Sequence, residues 1–307
     1  NVRVIAHQEH SCGADGKCAC GKTMAAALTA GGKTVGYETL KAAVDAANAQ
    51  DGEKTLKLYQ GWNGGAGASF NFQKGPVTLD LNGKQLGGIT TLYVLQTTLT
   101  ITGSGSVYSI VAGGAGGAVK ISGGVTVDKI SASPGGRLEL GGGTYHLLYV
   151  QPSSTAVLTG GSYSEIYGSD KQGRYITPAA MLGAGYGYRD TGGSWVTPET
   201  LAAGSTLQNV TVAKAPIVVS GIAAGQTYTA AFSDTEAEPA VTVTPQGAAS
   251  FTKTVIFRAY QGGGTTPVFT DTTDRKGQTA FSHKLGALYA GLDAGVYDDC
   301  YITVTYD

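Results

Sequence analysis

RLELGGGTYHLLYV at 137–150 and TAVLTGGSYSEIY at 155–167 are two copies of one unit. Each opens with an apolar-x-apolar pair (Leu138/Leu140, then Ala156/Leu158), turns on glycines, and continues as a second strand headed by tyrosine (Tyr145, Tyr163). Read backwards along the chain, the same pair recurs as Val119/Ile121, Leu99/Ile101, Leu79/Leu81 and Leu56/Leu58. The steps are about 23, 20, 20, 19 and 18 residues, a length at which each repeat is one coil whose apolar face is buried only by stacking on its neighbours. The second strand also recurs, in VYSIV (107–111) and VDKI (127–130), so that Val107, Val127, Tyr145 and Tyr163 line up as one ladder. The expected fold is all-β: a right-handed parallel β-helix. Leucine-rich repeats would need Asn or Cys at a fixed place, and left-handed hexapeptide helices a six-residue period; the chain has neither.

An open coil end exposes unpaired backbone and has to be covered. YETLKAAVDAANAQ (37–50) reads as the covering helix, with Leu40, Ala43, Val44 and Ala47 on one face. Residues 168–200, including MLGAGYGYRDTGGSWV, leave the period and are read as distal cap and linker. From Leu207 the texture becomes alternating runs (LQNVTVAKAPIVV, TYTAAF, AVTVTP, KTVIFRAY, CYITVTYD), expected of an antiparallel β-sandwich. The domains are therefore expected at 1–24 (a Cys/His-rich segment), 25–204 (β-helix with caps) and 205–307 (sandwich).

Composition agrees. Of 307 residues, 48 are glycine and 17 tyrosine, and the hydrophobic share of 42% suffices for two cores. Net charge is −1 without any Lys/Arg run, which argues against nucleic acid as a partner. No stretch approaches the roughly 18 apolar residues of a membrane span, and no export signal is visible at Asn1. The glycine run GGAGG (113–117) lacks the helix and lysine of a phosphate loop.

The arrangement resembles secreted β-helix proteins of Gram-positive gut bacteria, of the broad pectin-lyase-like class. The residues that carry the resemblance are YETLKAAVDAANA followed by KTLKLYQG, the GGTY and GGSY turns, and LQNVTVAKAP (207–216). It implies the fold and an extracellular, cell-surface or secreted location, and it implies no activity. The ending GVYDDCYITVTYD is similar to the last strand of pilin or spore-coat-type sandwiches.

His7, His10, Cys12, Cys18 and Cys20 crowd within 14 residues. Thiolates and imidazoles are the ligands zinc prefers, so a single structural zinc ion is one reading; a disulfide among the cysteines is the other. No other cofactor is called for. Cys300 reads as an ordinary buried thiol of the last strand, with pairing to an N-terminal cysteine as the alternative. An enzyme would have to be built from Asp128 and His146 on adjacent coils, with Lys129 and Glu165 nearby. The outward ladder expected on the other face, Asp80, Thr100, Lys120, Glu139, Val157, brings together one Lys120–Glu139 contact and no acidic cluster of the kind that lyases or glycosidases use. Aromatic residues are the better binding candidates: Tyr149 and Tyr167, one coil apart, and Trp62, Tyr186, Tyr188 and Trp195 in irregular segments. The expectation is a monomeric, non-catalytic surface binder of a host glycan or glycoprotein, immunoglobulins included. The alternatives are a polysaccharide lyase or glycosidase, and a stalk or pilin-like subunit.

Overall fold

The computed structural model describes residues 11–13, 15–18, 20–65, 67–167, 174–183, 185–196, 206–215, 217–228, 239–246, 251, 254–293 and 295–306. Two compact units are formed, one by Asn1–Leu182 with Leu201–Val212, the other by Gly183–Thr200 with Ala213–Asp307. The first elements are β1 (Ala26–Ala30), β2 (Lys33–Tyr37), α1 (Leu40–Ala49), β3 (Lys54–Leu58), β4 (Ser69–Phe72), β5 (Val77–Asp80), β6 (Lys84–Leu95) and β7 (Thr98–Thr102). Then come β8 (Gly105–Gly113), β9 (Ala118–Ile121), β10 (Val125–Ala132), β11 (Arg137–Leu140), β12 (Thr144–Val150), β13 (Thr155–Leu158), β14 (Ser162–Tyr167) and α2 (Pro178–Met181). The remainder are β15 (Tyr186–Arg189), β16 (Trp195–Val196), β17 (Thr206–Lys214), β18 (Ile217–Ser220), β19 (Ala240–Pro245), β20 (Val255–Tyr260), β21 (Phe269–Asp271), β22 (Phe281–Lys284), α3 (Leu285–Leu288) and β23 (Tyr301–Tyr306).

The first unit is a parallel β-solenoid of about 6 turns. Strands β3, β5, β7, β9, β11 and β13 stack in one sheet, and β4, β6, β8, β10, β12 and β14 in a second. Because the side-chain period is two, each strand sends alternate residues inward, and like residues fall into columns. One column runs Leu56, Leu79, Ile101, Ile121, Leu140, Leu158. The second sheet contributes Leu92, Ile110, Ile130, Leu148 and Ile166. All are buried, each stabilising the unit by roughly 1.5–3 kcal/mol relative to exposure.

The register departs from the sequence reading at one place. Leu79 pairs with Ile101 and Val77 with Leu99, so Asp80 stands opposite Thr102 and Thr78 takes its place on the outward ladder beside Thr100. Val77, Leu79 and Leu81 alternate, and a slip of two residues keeps every apolar side chain facing inward; hydrophobic pattern alone therefore does not choose between the two registers. Asp80 instead closes the turn, its Oδ1 accepting from the Asn82 amide at 2.9 Å.

Both GGxY turns are built alike. Gly143 and Gly161 have φ of +93° and +96°, which disfavours any residue with a Cβ. At each turn the tyrosine two residues on folds back and donates to a glycine carbonyl, Tyr145 to Gly142 at 2.5 Å and Tyr163 to Gly160 at 2.9 Å. The two rings stack inside the coil with centroids 4.9 Å apart.

The proximal end is covered as expected. The Thr39 side chain caps α1 by accepting from the Ala42 amide, and Leu40, Ala43, Val44 and Ala47 are buried. Lys54 occupies the inward place that Val77 fills on the next coil. Its Nζ donates to the carbonyls of Ala47, Gln50 and Lys74 at 2.8, 2.5 and 2.7 Å, so one buried ammonium satisfies acceptors at the end of α1 and in the adjoining turn. An unexpected feature is the hairpin β1–β2, whose β1 pairs antiparallel with β3. At the distal end, Leu182 bridges Leu158, and Met181 of α2 is fully buried. Residues 206–211 of β17 pair antiparallel with β14. LQNVTV thus extends the solenoid's second sheet.

In the second unit, sheets β18-β19-β22 and β21-β20-β23 are both antiparallel. They enclose a core of Val241, Val243, Phe251, Val255, Phe257, Ala259, Phe281, Leu285 and Leu288. The hairpin β15–β16 belongs to the same unit.

Candidate functional site

The outer face of the solenoid's second sheet carries the polar and aromatic columns. Tyr149 stands opposite Ser131, which stands opposite Val111, which pairs with Tyr93. Beyond Tyr149 its ring meets Tyr167 of the next coil at 6.2 Å between centroids. Tyr175, which the repeat pattern did not single out because it lies past the last coil, joins them at 5.8 Å from Tyr149 and 5.7 Å from Tyr167. The interplanar angles of 41°, 72° and 34° make this a tilted cluster, with all three rings half-buried. The cluster offers ring faces and edges, together with hydroxyl groups, on one flank.

Asp128 and His146 do meet across neighbouring coils. His146 Nδ1 lies 2.8 Å from Asp128 Oδ1, and both side chains are about half exposed (54% and 45%). Glu165 stands one column away, opposite Leu147, so it does not complete a carboxylate pair with Asp128. Lys129 reaches over the Tyr108 ring at 5.4 Å. On the other sheet Lys120 and Glu139 form the expected ion pair at 3.0 Å, which Arg137 shares at 2.9 Å.

The remaining aromatic candidates separate. Trp62 packs edge-on against Phe70 at 5.6 Å, and among the described residues its buried Nε1 has no hydrogen-bond partner. Tyr188 is fully buried, which removes it from any ligand-facing surface. In the same hairpin Trp195 is held under the guanidinium of Arg189 at 4.2 Å, and Tyr186 is half-buried.

His7 and His10 lie outside the described residues. Among those described, no group of three or more His, Cys, Asp or Glu side chains is placed to hold a metal ion. Cys18 and Cys20 bring their sulfurs within 2.8 Å. Their shared hydrogen bond lowers the Cys20 pKa and raises that of Cys18, while burial raises that of Cys12.

The sequence reading missed a cluster in the second unit, where His283 sits among Phe257, Phe269 and Phe281 with ring centroids 4.7, 5.1 and 5.6 Å away. Asp271 faces it and is also paired with Arg275. Among the described residues, no helix is long and apolar enough to cross a membrane. No protein-family model, curated protein or solved structure matches the chain.

Proposed function

We propose that this chain is a non-catalytic binding protein of the bacterial cell surface, an adhesin that holds a host glycan or glycoprotein against the tyrosine-bearing flank of its solenoid. The observation that supports this most is the cluster of Tyr149, Tyr167 and Tyr175, three rings within 5.7–6.2 Å of one another on an outer face. Aromatic faces stack on the C–H faces of sugar rings, and the phenol hydroxyls supply adjacent hydrogen bonds. The resemblance to secreted pectin-lyase-like surface proteins of Gram-positive gut bacteria supports the extracellular location.

A second reading, cleavage of a polysaccharide, draws on the 2.8 Å contact between Asp128 and His146, a geometry in which a carboxylate orients an imidazole for proton transfer. One experiment separates them. The purified chain is screened against host glycans and mucosal glycoproteins, and the supernatant is analysed for shortened or unsaturated sugars. Saturable binding that Tyr149→Ala and Tyr175→Ala each weaken, without product, supports the adhesin. Product formation that His146→Ala abolishes overturns it in favour of the enzyme.

A further inference from the structure

Three of the four cysteines sit in the short hairpin that precedes the first coil. Cys12 and Cys18 face each other across its antiparallel strands. The Gly13 amide donates to the Lys17 carbonyl at 2.9 Å, and this places the ladder hydrogen bond beside the Cys12/Cys18 pair. The two cysteines therefore form a non-hydrogen-bonded pair, whose Cα atoms are about 4.5 Å apart with side chains at their closest. That spacing falls inside the range a disulfide spans. Cys12 is also seated on β2, its sulfur occupying the place where a Cβ on Gly36 would be, 2.0 Å away. On the other side of Cys18, the Cys20 sulfur stands 2.8 Å from the Cys18 sulfur. Cys18 is thus within reach of two partners.

We propose that Cys12, Cys18 and Cys20 form a thiol–disulfide exchange centre, with a cross-strand Cys12–Cys18 disulfide as its resting form and Cys20 as the thiol that attacks it. A low-molecular-weight disulfide is the oxidant: its S–S bond breaks, the Cys12–Cys18 bond forms, and the two protein thiol protons leave with the two small thiols. Exchange then needs no further oxidant. The Cys20 thiolate attacks Cys18 Sγ, the Cys18–Cys20 bond forms, the Cys12–Cys18 bond breaks, and Cys12 Sγ leaves with the electron pair and takes a proton from solvent. The first form ties the hairpin across its strands; the second releases Cys12 while keeping the chain oxidised.

Trypsin reads the difference, because Lys17 separates Cys12 from Cys18 and Lys22 follows Cys20. The full chain carrying Cys300→Ser is treated with oxidised glutathione, digested without reduction and analysed by mass spectrometry. The expected result is the peptide 4–17 joined to the peptide 18–22. Adding Cys20→Ser keeps them joined, and adding Cys12→Ser yields the peptide 18–22 lighter by two hydrogens. The proposal is overturned if the two peptides emerge unjoined from the Cys300→Ser chain, or if Cys18→Ser leaves them joined as before. It is equally overturned if the chain incubated with zinc chloride retains one zinc ion and all three thiols under the oxidant.

Discussion

Asp271 of β21 and His283 of β22 face each other between the two sheets of the second unit, carboxylate Oδ2 to imidazole Nε2 at 3.0 Å. The approach does not have hydrogen-bond geometry, for Nε2 finds no hydrogen-bond partner among the described residues. Burial among the phenylalanines outweighs the nearby carboxylate and holds the His283 pKa below its ordinary value. Burial would raise the Asp271 pKa, but hydrogen bonds from the Thr273 side chain and amide and the pairing with Arg275 prevail, lowering it to about 2.

The pH response of this unit follows. Asp271 is more acidic folded than unfolded, so its contribution is complete above the unfolded value of 3.8 and is lost as pH falls through about 2. His283 is also depressed. Its unfolded form takes up a proton below 6.5 while the folded form resists, so stability declines as pH drops through 6.5 toward the folded value. Thermal melting of the full chain at pH 7.5 and 5 should show the transition assigned to this unit falling, and His283→Leu should flatten that slope. An unchanged slope in the variant would refute the assignment.

Asp271→Asn keeps the shape and removes the charge facing Arg275. The partly buried guanidinium loses its counter-ion, and the expected cost is about 2–4 kcal/mol in urea unfolding at pH 7. A cost within about 0.5 kcal/mol would mean that the pair behaves as an exposed one.

Lys54→Met retains the aliphatic stem in its inward place but leaves the carbonyls of Ala47, Gln50 and Lys74 without that donor. Destabilisation of the solenoid by about 2–4 kcal/mol is expected. Hydrogen exchange should localise the loss to α1 and the first coil; a uniform change over all coils would contradict the capping role.

Tyr145→Ala and Tyr149→Ala test inside against outside four residues apart. Tyr145 is fully buried, and its removal should cost about 3–5 kcal/mol. Tyr145→Phe, which loses only the bond to Gly142, should cost about 1 kcal/mol. Tyr149→Ala should shift unfolding by less than about 1 kcal/mol while weakening glycan capture.

Asp128→Asn and His146→Ala break a pair that is half in water. Each should change stability by under about 1 kcal/mol and leave glycan retention intact. A rate of sugar cleavage that falls 100-fold or more in either variant would move the weight to the catalytic reading.

The coil was legible because its information is local and repeated: the columns Val107/Val127/Tyr145/Tyr163 and Lys120/Glu139 fall where the spacing puts them. The same alternation hid the register at Val77–Leu81, where both alignments bury the same face. It also hid the partner of β17, since an alternating strand reads alike whether it closes a solenoid or opens a sandwich. Tyr175 and the Asp271–His283 contact depend on chain segments brought together by folding, and nothing periodic marks them. The short strands Phe269–Asp271 and Phe281–Lys284 were missed for the same reason.

A stack of parallel coils is a template: each strand offers the next a slanted ladder that only a chain running the same way extends evenly. At β1 against β3, and again at β17 against β14, the chain reverses direction. These reversals act as start and stop signals written in backbone polarity. Adding one more coil at either place would have to displace a strand already paired, so the ladder is bounded from within the chain, by its own direction of travel.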